Sequence, residues 1–215
     1  MGQIPYHRLT ERLLQLLWVL FAVDCLALPA SLWERFLLKR YEGGESGEGL
    51  DGLLMASDRM QAAVGITQVL LTLVVVVTAA IWIRRANMAA RALGAQNLRF
   101  TPNWAIGWYF VPLANLFMPF RAMAEIWRAS GGAPDWKNEA LPSFFAGWWG
   151  FWLASNVVGQ FAGQSAFGAS AIDSLMWSNT LYLVADAIAA MNDLFFIQVV
   201  TAVYARQAET ATRSA

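Results

Sequence analysis

WIRRANMAARALGAQNLRFTPNWAIGWYFVPLANLFMPFRAMAEIWRAS, residues 82–130, decides how the rest of the chain is read. Six arginines, three prolines and a dense aromatic run stand here between long apolar segments. That pattern is what the cytoplasmic face of a membrane protein looks like: arginines set the side on which a loop stays, and prolines mark where a buried helix is interrupted. Composition agrees. Apolar residues make up 58% of the 215 and charged residues 14%, about half the usual charged fraction of a soluble domain.

Outward from this stretch, four apolar segments are long enough to span: about 13–33, 60–83, 142–163 and 178–204. At about 1.5 Å per residue each reaches roughly the 30 Å of a hydrocarbon core. The first is expected to be a retained anchor, because Asp24 interrupts it and Leu28 occupies a position where signal cleavage needs a small residue. YEGGESGEGLDG, 41–52, reads as a flexible exposed loop. Trp82 closes the second span as an interface anchor, Gly94 is placed to stop the helix, and Thr101 with Pro102 to start another. All of this is one membrane domain and an all-α bundle.

Between the second and third spans lies 102–120, too short and too rich in proline to be an ordinary crossing. Pro112 and Pro119 each withdraw a helical hydrogen bond, and the freed carbonyls are tolerated only against protein or water. The expectation is a broken, re-entrant or interfacial element with Asn115 beside the break, followed by a surface helix at 121–130. Arg121, Glu125 and Arg128 in that helix have the spacing of a salt ladder. If the element does not cross, eleven of the fifteen Lys and Arg fall on one side and four on the other; if it crosses, the division is six to nine. The positive-inside rule favours the first, with both termini cytoplasmic in an inner membrane.

Carboxylates inside apolar spans are the next signal. Asp24 lies mid-span in the first segment, and Asp186 and Asp193 lie seven residues apart on one face of the last, with Asn192 alongside. One reading is an ion or proton site; the other is structural, with protonated carboxyls bonded across helices to Asn156, Gln160 or Gln68. Both stay open. Arg84, Arg85, Arg91, Arg99, Arg121 and Arg128 would gather at anionic headgroups and could hold a lipid or phosphate group, or serve topology alone. Ala146, Gly150 and Ala154, with Gly159 and Gly163, recur at four-residue spacing and read as a helix contact seam. The many tryptophans read as interface and packing residues rather than a ligand groove.

No catalytic constellation is legible: a single histidine, His7, and a single cysteine, Cys25, leave no paired ligands for a metal or haem. No cofactor is expected. Fifteen acidic residues balance fifteen basic ones, which makes nucleic acid a poor candidate partner, and none is expected.

RALGA at 91–95, FTP and W within 100–104, GWYFVPLANL at 107–116, Pro119 and AMAEIWRAS at 122–130 carry a resemblance to the bacterial family known as domain of unknown function 4328. The resemblance implies a small multispanning membrane protein and brings no activity or catalytic residue with it. The leading functional expectation is a membrane-embedded accessory or scaffold subunit, packed against itself or another membrane protein within the lipid bilayer. A small transporter or channel component using the aspartates is the alternative, and an anionic-lipid-binding protein a third.

Overall fold

The computed structural model describes residues 6–133 and 135–213. Every regular element among them is helical: α1 (His7–Glu42), α2 (Glu48–Ala92), α3 (Trp104–Gly107), α4 (Met118–Ala129), α5 (Ser143–Ala166) and α6 (Ile172–Arg213). Short 3-10 turns cover Trp108–Phe110, Ala114–Leu116 and Trp136–Asn138. Helices α1, α2 and α6 are each long and apolar enough to cross a membrane. Only 11% of the most apolar window of α2 is buried within the protein, and Ile66, Val69, Leu70, Leu73, Val74 and Val77 lie exposed along it. Water does not tolerate a continuous surface of that kind, whereas lipid does.

Glycine in the left-handed region ends two of these helices. At Gly94 (φ 94°) its own N–H bonds the Arg91 carbonyl while Ala95 N–H reaches back to Ala90. Gly44 (φ 87°) repeats the arrangement with Tyr41 and Arg40. Both are Schellman closures, in which orphan carbonyls of the last turn find donors. Gly44 also corrects the expected flexible loop: only 43–47 is non-helical, and α2 begins at Glu48. Glu48 and Asp51 sit in its first turn, where carboxylates favour the positive end of the helix dipole, and Leu50 is buried.

The chain forms two compact units. Unit 1 comprises the described parts of 1–17, 73–149 and 194–215, and unit 2 comprises 18–72 and 150–193.

Unit 1 is densely apolar inside, with Leu13, Leu17, Met123, Ile126, Phe145, Val199, Val200 and Val203 essentially inaccessible. Trp82 is fully buried here, against the expectation of an interface anchor: its indole donates to Thr10 Oγ1 at 3.0 Å and its ring meets Tyr6 edge-on. Gln207, also fully buried, receives the Tyr6 hydroxyl's bond and donates to the Ala86 carbonyl (2.9 Å) and Ser130 Oγ (2.7 Å). Burial pushes the Tyr6 phenol up from its ordinary range, since the phenolate would lose its water. Arg206 pairs with Glu139 and lies 4.1 Å over the Trp127 ring. The close approach of α5 to α6 is made at Gly147, where a Cβ would stand 2.7 Å from the Phe195 ring.

Unit 2 is more polar inside. Alongside Leu20, Ala27, Ala30, Leu37 and Leu50 it buries Asp24, Ser31, Ser57, Ser178, Asn179 and Asp193.

Candidate functional site

Polar side chains in unit 2 recur every seven residues on three helices: Asp24 and Ser31 on α1, Gln61 and Gln68 on α2, and Asn179, Asp186 and Asp193 on α6. Seven residues are nearly two helical turns, so each set shares one face of its helix. The faces meet in layers. In one layer Gln61 Nε2 donates to Glu34 Oε2 (2.7 Å) and Ser31 Oγ (3.4 Å), while Asn179 Nδ2 donates to Glu34 Oε2 and the Ser31 carbonyl, both at 2.9 Å. In the next, Gln68 Nε2 donates to Asp24 Oδ1 (3.0 Å) and Asp186 Oδ1 (3.1 Å). Asp193 faces Asp24.

The structure therefore brings Asp24, Asp186 and Asp193 together, and the amide that joins two of them is Gln68. Asn156 and Gln160 are not there: Asn156 is exposed and donates to the Trp152 carbonyl of its own helix at 2.7 Å, and Gln160 is exposed. Asn192 lies beside Asp193, and its Oδ1, like Asp193 Oδ2, is buried without a partner among the described residues. Sequence reading missed Ser31, Gln61, Asn179 and Glu34; the seven-residue spacing to Asp24, Gln68 and Asp186 is the signal for the first three, and Glu34, one turn after Ser31, follows only from the packing of α2 and α6 against α1.

The arginines divide into two groups in unit 1. Arg84 donates to Asn103 Oδ1 (2.9 Å), Arg85 is exposed, and Arg91 donates to Asn87 Oδ1 (3.0 Å) and the Phe100 carbonyl (2.9 Å). Arg91 thus fastens the segment after α2. Arg99, Arg121 and Arg128 instead line one cavity of about 420 Å³, together with Lys137, Asn97, Glu125 and the apolar Phe100, Phe120, Trp136 and Leu141. Lys137 was not foreseen, since it stands alone in the sequence and reaches the cavity through the turn Trp136–Asn138.

Glu125 forms no salt ladder with Arg121 and Arg128. Its two oxygens accept the backbone N–H groups of Arg99 and Phe100, each at 2.9 Å, a pair of donors held in place that outcompetes the long side chains of exposed Arg121 and half-buried Arg128. Arg128 Nε turns to the Glu139 carbonyl at 2.7 Å.

The break in 102–120 is also distributed differently from expectation. Thr101 does cap, its hydroxyl accepting Trp104 N–H at 3.3 Å and its carbonyl Ala105 N–H at 2.9 Å. The helical path then fails around Pro112: Val111 is extended and Leu113 adopts φ 64°. Pro119, expected as a second break, occupies the first turn of α4, where a missing N–H is harmless and the ring favours helix initiation. Asn115 makes no side-chain hydrogen bond among the described residues. The Trp149 indole serves the freed backbone instead, donating to the Leu116 carbonyl at 3.0 Å. Phe110, Leu113 and Phe117 project from this segment, at 77%, 78% and 61% exposure, which marks an apolar tip rather than a packed element.

Along α5 the expected seam does not hold another element of the chain: Gly150, Gly159 and Gly163 have open space where a Cβ would stand. Among the described residues, no group of three or more His, Cys, Asp or Glu side chains is arranged to hold a metal ion.

No curated protein and no solved structure matches the chain. The model of one family, described as a domain of unknown function (DUF4328), matches residues 49–205, which takes in the carboxyl cluster's α2 and α6, the basic cavity and the broken segment. The chain belongs to the DUF4328 family.

Proposed function

We propose that the protein is a small membrane-embedded transport component whose carboxyl cluster, Asp24, Asp186 and Asp193 bridged by Gln68, carries protons. The observation that supports this is an imbalance of energies. An aspartate at the centre of a membrane helix costs about 2.5–3.5 kcal/mol, whereas a hydrogen bond across membrane helices returns on average about 0.6 kcal/mol. The two bonds made by Gln68 offset less than the insertion cost of one carboxyl. Structural glue alone is thus a poor reason for three. A facing carboxyl pair with one oxygen unpartnered is the arrangement a proton relay uses, since either member can hold the proton and the vacant oxygen offers a point of exchange.

In this reading α5, 24 residues long, is a fourth span, its tryptophans lowering its hydropathy without preventing insertion. The segment 102–120 stays on the cytoplasmic side of a bacterial inner membrane with its apolar tip in the bilayer interface, and both termini are cytoplasmic. The role is not enzymatic. The test is proton flux in liposomes containing the purified protein and a trapped pH dye. Asp24→Asn and Asp193→Asn should each slow dissipation of an imposed pH gradient at least tenfold, with Gln160→Ala unchanged; equal flux in a triple Asp24, Asp186, Asp193→Asn protein contradicts it.

A second reading, the accessory subunit, is favoured by the open glycine face of α5. Small residues let backbones approach closely, so this face suits a helix of another membrane protein or of a second copy. The two readings are compatible.

A further inference from the structure

The basic cavity of unit 1 lies apart in the sequence from every residue of the carboxyl cluster and calls for its own ligand. Four cationic side chains, Arg99, Arg121, Arg128 and Lys137, line it against one carboxylate. That carboxylate, Glu125, accepts two backbone N–H groups and makes no ion pair with the arginines among the described residues. None of the four cations takes part in an ion pair among the described residues: the Arg128 Nε bond goes to a carbonyl, the Arg99 guanidinium rests over the Phe100 ring at 5.7 Å, and Lys137 Nζ lies over Trp136 at 5.5 Å. Four positive charges against one carboxylate leave the cavity strongly positive, and a bound anion relieves the remaining repulsion.

Geometry narrows the anion. Guanidinium forks match tetrahedral oxyanions with paired N–H donors, and three such forks with an ammonium exceed what one carboxylate can accept. A cavity of about 420 Å³ has room for one headgroup-sized molecule. Its wall is half apolar, with Phe120, Trp136 and Leu141 beside the charges, so the ligand has a phosphate at one end and hydrocarbon or a ring at the other. We propose that Arg99, Arg121, Arg128 and Lys137 form a binding site for a phosphate ester. Its two possible sources are an anionic phospholipid headgroup and a soluble phosphorylated metabolite. Arg84, Arg85 and Arg91 are outside this site.

The experiment uses the full-length protein in detergent micelles, titrated in parallel with short-chain phosphatidylglycerol and with inorganic phosphate, and read by native mass spectrometry and tryptophan fluorescence. The variants are Arg121→Ala and Lys137→Ala, both exposed side chains whose loss leaves the fold intact, with Arg84→Ala as the control. Binding of phosphatidylglycerol weakened at least tenfold by either cavity variant and less than twofold by Arg84→Ala supports the site with a lipid source. Binding of inorganic phosphate with the same variant pattern supports it with a soluble source. Equal weakening by all three variants, which is what nonspecific surface charge gives, overturns it, as does the failure of both probes to bind the unaltered protein.

Discussion

Gln68 donates to the carboxyl of Asp24 at 3.0 Å, from α2 to α1, and the same amide nitrogen reaches Asp186 on α6. One side chain therefore ties three helices of unit 2. Gln68→Leu removes both bonds and strands two carboxyl oxygens, so it should destabilise the folded protein by about 1–3 kcal/mol, the range for leaving buried acceptors unpaired. Asn156→Ala and Gln160→Ala should fall within about 0.5 kcal/mol of the parent, as surface changes do. Unfolding by sodium dodecyl sulfate in mixed micelles measures all three.

Two glycines three residues apart on α5 separate packing from propensity. Gly147→Ala places a methyl 2.7 Å from the Phe195 ring and should cost about 1–3 kcal/mol through overpacking. Gly150→Ala meets nothing and should stabilise by roughly 0.5–1 kcal/mol, because alanine loses less backbone freedom in a helix. The same denaturation assay should give opposite signs; a loss at Gly150 matching that at Gly147 would mean that its face is already occupied.

Glu125→Ala takes the acceptors from the N–H groups of Arg99 and Phe100. Amide hydrogen exchange at 99–100 should accelerate at least tenfold, with little change in α1. Arg121→Ala should leave those amides protected, since the carboxylate is held by backbone and not by that arginine.

Trp149→Phe keeps most of the aromatic packing but removes the donor to the Leu116 carbonyl. The segment 108–117 should loosen by about 1 kcal/mol, read as faster limited proteolysis at Phe110 or Phe117, whose side chains are exposed.

Much of this architecture was legible from local signals. Gly94 and Thr101 mark a helix end and start because backbone donors and acceptors there depend on nearby residues alone. The long apolar helices follow from composition. What could not be read depended on partners distant in sequence. Trp82 looks the same in a list whether it meets headgroups or Thr10, seventy-two residues away. Glu125 has helical neighbours of the right charge, yet a loop twenty-five residues back supplies better donors. The carboxyl cluster was visible in Asp24, Asp186 and Asp193, but choosing Gln68 over Asn156 and Gln160 needed the registry of α2 against α1 and α6. Lys137 joins the arginines only because a short turn delivers it there.

The proposed arrangement of four spans, with 102–120 held on the cytoplasmic side, fixes the sidedness of the chain. Single cysteines introduced at Gln96, Asn138 and Ser46 in a Cys25→Ala background, all at exposed positions, test it with a membrane-impermeant maleimide on intact cells. The account predicts that Ser46→Cys is labelled from outside while Gln96→Cys and Asn138→Cys, flanking the broken segment, are labelled only after the membrane is opened. Labelling of Asn138→Cys from outside with Gln96→Cys protected would mean that 102–120 crosses the bilayer, and would contradict it.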